Sequence, residues 1–155
     1  MSAEHYVREL RWAHRAEQLG EALYRTAAGL SLDARRQTVW RTLARLETQT
    51  GARLASALHE EGAPSPSAPM SRLAGAVVGV ALAVLPWRWA MRALDKSARP
   101  YLERLERLRE STPGGDVALL DYLVEHERAQ LELVEHELAD RPARSLEAVQ
   151  ALLDP

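Results

Sequence analysis

Apolar residues recur along this chain every three to four positions in several long stretches, and no stretch sustains the period-two alternation of a half-buried strand. The pattern predicts a first helix over residues 3–29, with Gly29 as its stop and Ser31 and Asp33 able to cap the next helix. That second helix is predicted over 32–60. Residues 61–71 read as a linker, because Pro64, Pro66 and Pro69 alternate with serine and alanine there. A third helix opens in the apolar run 73–85, meets Pro86 and resumes over 87–110, and Pro100 predicts another kink within it. Thr112, Pro113, Gly114 and Gly115 read as a loop, Asp116 as the cap of a fourth helix to about residue 140, and 145–153 as a short terminal helix. Together these elements predict one all-α domain over 1–155, an antiparallel four-helix bundle with a kinked third helix.

The apolar seams are interrupted at matching places. In the fourth helix Leu120, Leu123, Glu127, Gln130 and Val134 share one face, and in the second Leu43, Glu47, Thr50 and Leu54 do so. Glu47/Thr50 and Glu127/Gln130 thus repeat one polar spacing in two helices. The first helix places Glu17 in the seam Leu10, Ala13, Glu17, Gly20 and Tyr24. The third has no acid in its seam, and Asp95 lies at the edge. Burying an ionised carboxylate alone costs several kcal/mol or more. Converging acids therefore require a cation, an arginine or a retained proton. A metal ion accounts for all three acids together, and oxygen ligands suit iron or manganese. A polar core network satisfied by arginine or Tyr24 is the other reading. His126 is expected beside the seam, and His5, His14 and His59 in solvent.

Composition narrows the functions further. Twenty basic residues face 22 acidic ones, a net charge of −2, which argues against nucleic acid as a partner. Cysteine is absent, which removes thiolate metal sites, disulfides and thiol catalysis. No apolar leader follows Met1, so the cytoplasm is the expected location.

Glu17 with Tyr24, Glu47 with Thr50, and the run Glu125-His126-Glu127-Arg128-Ala129-Gln130 resemble the ferritin-like superfamily, in particular its rubrerythrin-type members. The resemblance covers the first, second and fourth helices and only weakly the third. It implies a carboxylate-rich iron site on a four-helix bundle, with a Glu on each of two helices and a Glu-x-x-His pair on the others. Thr50 and Gln130 stand where the family has histidine, and only Asp95 lies near the place of its third-helix glutamate. Glu17, Glu47, Glu127, Gln130 and Asp95 are then the implied metal set. The resemblance implies one metal, a weak pair or none, for redox, oxygen or iron-handling chemistry.

Residues 73–87 carry no charge and are fewer than the about 18–20 a spanning helix needs. Gly75 and Gly79 permit close helix approach. The segment is expected to be buried in the bundle or in a self-association interface. Contact with a membrane surface is the alternative, although the segment lacks a charged opposite face. Three functions remain: a metalloprotein, a metal-free scaffold acting through partners, and a monotopic membrane oxidase.

Overall fold

The computed structural model describes residues 2–112 and 116–153, so Pro113, Gly114 and Gly115 of the expected loop lie outside the described residues. The chain is all-α. Its helices are α1 (Ala3–Leu30), α2 (Ala34–Glu60), α3 (Pro69–Val84), α4 (Trp87–Ser111), α5 (Val117–Leu138) and α6 (Glu147–Leu152), with a 3-10 turn at Pro142–Arg144. Side-chain caps open α1, α2 and α5: Ser2 accepts from the His5 N–H, Asp33 from Arg36 and Asp116 from Leu119. Among the described residues no helix is long and apolar enough to cross a membrane.

Pairings across the helices fix their directions. Gly20 lies against Glu47 and Gly51 against Glu17, so α1 and α2 run antiparallel. Arg99 meets Glu135 at 3.5 Å and Arg128 meets Glu106 at 2.7 Å, so α4 and α5 do likewise. Arg35 to Glu137 and Thr50 to His126 make α2 antiparallel to α5. Glu9 to Arg104 and Glu17 to Tyr101 make α4 antiparallel to α1.

The expected kinked third helix is in fact two helices. α3 runs parallel to α1, because Gly75 sits on the Leu19 carbonyl and Gly79 on that of Leu23. α4 runs the other way, so the chain reverses at Leu85 and Pro86, both extended. Pro86 has no amide proton to continue α3 and instead starts α4. A Cβ on Gly75 would lie 2.1 Å from the Leu19 oxygen, which is why glycine is needed at this close crossing. Pro100, by contrast, does not interrupt α4. The linker is also shorter than the proline content suggests: Pro69 occupies the first turn of α3, where a missing N–H costs nothing.

Two apolar clusters fill the interior. One gathers Trp40, Leu43, Leu46, Met91 and Leu133, and the other Leu10, Leu54, Leu58, Leu105 and Leu120. Residues Glu17, Glu47, Thr50, His126, Glu127 and Gln130, all buried, belong to neither cluster. They come from α1, α2 and α5, whose antiparallel register brings the polar interruption of each seam to one level.

Candidate metal centre

The seam positions expected to be polar do converge. Glu17 is 3 % exposed, Glu47 5 %, Glu127 7 % and Gln130 8 %. His126 joins them from α5 at 1 % exposure. Its Nε2 lies 3.3 Å from Glu47 Oε1, 3.7 Å from Glu127 Oε1 and 4.0 Å from Glu17 Oε2. One ligand atom from each of Glu17, Glu47 and His126 falls within 4.8 Å of the others, the spacing from which a single cation can be gripped by inward rotation of the side chains.

A frame of hydrogen bonds sets these groups. Tyr24 donates to Gln130 Oε1 at 2.8 Å, which turns the Gln130 amide nitrogen toward Glu47 Oε1 at 2.5 Å and into close contact with His126 Nε2. On the other side of the imidazole, Thr50 Oγ1 meets Nδ1 at 2.6 Å, and Tyr122 in turn meets Thr50 at 3.1 Å. Nε2 is therefore the nitrogen aimed at the carboxylates. Glu17 Oε1 lies 3.5 Å from the Tyr101 hydroxyl, while Glu17 Oε2 is buried without a hydrogen-bond partner. Gly20 makes room for the group, since a Cβ there would stand 2.2 Å from Glu47 Oε2.

The electrostatics follow from crowding acids in a dry place. Burial pushes the Glu17 carboxyl well above the usual range, and the Glu47 and Glu127 carboxylates push it further. A proton on Glu17 would bond to Glu47. Burial raises Glu127 to about 7, with His126 opposing and Glu47 reinforcing the shift. For His126, burial favours the neutral ring, yet its hydrogen bond to Glu47 and the charges of Glu47 and Glu127 outweigh this and raise its pKa. Tyr24 and Tyr101 are held well above their ordinary value by burial and the three carboxylates, so both remain neutral donors.

A cavity of about 170 Å³ adjoins the acids, lined by Leu19, Leu23, Leu94 and Val134 as well as by Glu17 and Glu127. A second opening, about 410 Å³, reaches Glu17 and Glu47 from the side of the linker, past Ser65 and Ser67. There Gln18 accepts from the Ala68 N–H at 3.2 Å and donates to the Pro66 carbonyl at 2.8 Å, pinning the linker to α1.

Two expectations about individual residues are corrected. Asp95 does not join the site: it is half-buried, salt-bridged to Arg99, and α4 contributes Tyr101 instead. An (i, i+4) arginine one turn away satisfies Asp95 where it stands. The histidines also differ: His14 is buried rather than solvated, and His126, expected only beside the seam, is buried within the cluster. The signal for His126 lay in α5 itself, where Val124, Leu131 and Leu133 extend the apolar surface beyond one seam.

No protein-family model, no curated protein and no solved structure matches this chain.

Proposed function

We propose that this chain is a metal-binding protein in which Glu17, Glu47 and His126 hold a divalent first-row ion, with Glu127 as an adjacent carboxylate. Two carboxylates and an imidazole are a hard-to-borderline donor set suited to iron or manganese. The observation that carries the reading is Glu17 Oε2, a buried carboxylate oxygen without a hydrogen-bond partner, facing two further ligand atoms. A cation would supply charge compensation that the acids otherwise obtain only by keeping protons. Such an ion would also make redox or oxygen chemistry possible. The chain's own part is to bind and orient: Thr50 fixes the imidazole, Tyr24 and Gln130 fix Glu47, and the apolar cavity admits a small uncharged molecule to the carboxylates.

In this reading α1, α2, α4 and α5 form an antiparallel four-helix bundle of the ferritin-like kind, and α3 makes the long connection between its two halves. The directions of the four helices and the level at which Glu17, Glu47 and Glu127 meet support it. A second reading, a metal-free helical scaffold, is favoured by the Gln130 bond to Glu47, which satisfies one carboxylate from within.

Anaerobic loading with Fe(II) and with Mn(II), followed by metal analysis, tests the proposal. The parent protein is expected to retain about one ion per chain, and Glu17→Gln/Glu47→Gln none while remaining folded. A parent that retains no ion, and is less stable than that variant, would leave the scaffold reading standing.

A further inference from the structure

A cavity of about 690 Å³ opens between the last turns of α1, the middle of α2 and the end of α6, and no residue of the acidic cluster lines it. Three arginines do. Arg41 and Arg45 stand one helical turn apart on α2, and the register that sets Gly20 against Glu47 brings Arg25 of α1 level with them. No acidic side chain joins them in the lining. Arg25 is tied to Glu21 at 2.8 Å, whereas Arg41 and Arg45 have no hydrogen bond or ion pair with any described residue. Like charges at this i, i+4 spacing repel, and an anion between them removes that repulsion while accepting from both guanidinium forks. Much of the remaining lining is small and apolar. Ala28 and Ala44, both buried, lie at its floor. Gly29 leaves the space open, since a Cβ there would meet nothing within 4 Å. Leu153 bounds the α6 side, where Gln49 Nε2 holds the neighbouring Leu152 carbonyl at 2.8 Å.

We propose that this cavity binds a single-chain alkyl anion, its carboxylate or phosphate head between Arg41 and Arg45 and its chain over Ala28, Ala44 and Leu153. Three features select that class. The volume falls in the range of about 300–1,000 Å³ that takes small organic molecules, and is far more than an inorganic anion fills. The two unpartnered guanidiniums set the charge of the head, and their planar forks match a carboxylate or a phosphate oxygen pair. No aromatic ring lines the space, so nothing there would stack on a base or another flat ring, and the body is aliphatic. The site shares no residue with the proposed metal set, so it stands or falls apart from that reading.

Calorimetric titration of the full chain with octanoate and with octyl phosphate tests this, with 1-octanol as the uncharged probe and butyrate as the short one. Octanoate or octyl phosphate is expected to bind at one site per chain, more weakly at high salt, and the tighter of the two identifies the head group. Both 1-octanol and butyrate should bind at least about tenfold more weakly. Arg41→Gln/Arg45→Gln should lower the affinity about tenfold or more by removing the charge. Gly29→Leu should do the same by filling the cavity. Neither variant should melt below the parent, because all three positions are exposed. Arg15→Gln, an exposed arginine outside the cavity, should bind as the parent does. The proposal is overturned if the parent binds neither alkyl anion, or if 1-octanol or butyrate binds as tightly. It is equally overturned if either cavity variant binds like the parent, or if Arg15→Gln weakens binding as much as they do.

Discussion

Thr50 Oγ1 stands 2.6 Å from His126 Nδ1, so a threonine on α2 orients the one imidazole of the acidic cluster. By resemblance Thr50 is a lost ligand. In the fold it is a positioning residue, and the ring it positions comes from the next helix face over. Partners of this kind, acting through a ligand, typically govern metal affinity by 10–100-fold. Thr50→Val, which keeps the shape and removes the hydroxyl, is expected to weaken Mn(II) or Fe(II) binding by about that factor. Thr50→Ser should restore most of it. Calorimetric titration of each variant checks this, and equal affinity in all three would deny Thr50 the role.

Gly20 gives a test in which stability and binding part company. A methyl group at this position collides with the Glu47 carboxylate, the far end of a flexible side chain, which can swing away. Alanine is also the better helix former by about 1 kcal/mol. Gly20→Ala is therefore expected to melt at or above the parent temperature, yet to bind metal at least about tenfold more weakly. Paired melting and metal titrations measure both, and a variant that loses stability and binding together would point to general disruption instead.

Metal-free protein should lose stability as pH rises. The carboxyls of Glu17 and Glu127 ionise less readily in the folded chain than in the unfolded one, where the ordinary value is about 4.5. Their protonated forms favour the fold fully below that value, and the contribution is lost as pH climbs through the raised folded values, about 7 for Glu127. Melting between pH 5 and pH 8 is expected to fall for the parent and to flatten in Glu17→Gln/Glu127→Gln. Bound metal reverses the trend, because it replaces the protons. A parent curve rising over that interval would mean the acids are compensated by something other than protons.

What could be read in the sequence was set by how many sides of each helix are covered. Glu47 interrupts a seam on a helix with one well-marked apolar face, so its burial was legible. Glu17 had to be read from one of two apolar sides of α1, which packs on α2, α3 and α4. His126 was not legible, because α5 packs against α2, α4 and α6 and hides most of its circumference. A single heptad seam has no place for a buried residue immediately beside Glu127. The turn at Pro86 was legible as an interruption, whereas the reversal of direction depends on Gly75 and Gly79 finding α1 rather than on the proline. Asp95 illustrates the opposite error, an acid near a seam that a local arginine draws outward.

Glu137 carries a further prediction, away from the candidate metal centre. Its carboxylate accepts from Arg35 in bidentate fashion at 2.8–3.0 Å and from the Trp87 indole at 2.7 Å, tying the starts of α2 and α4 to the end of α5. Burial alone would raise its pKa, but the hydrogen bonds from Arg35, Ser145 and Trp87 hold it below the ordinary value of 4.5. The sign is thus opposite to that of Glu17: the stabilisation is present above about pH 4.5 and is lost as pH falls through the depressed value. Glu137→Gln keeps the shape and gives up the charge-assisted bonds, so it should destabilise the protein by about 2 kcal/mol at pH 7. Near pH 3 the parent and variant should converge. Denaturant melts at the two pH values decide the matter, and a difference that persists unchanged in acid would show that packing around Trp87, not the ion pair, holds this corner together.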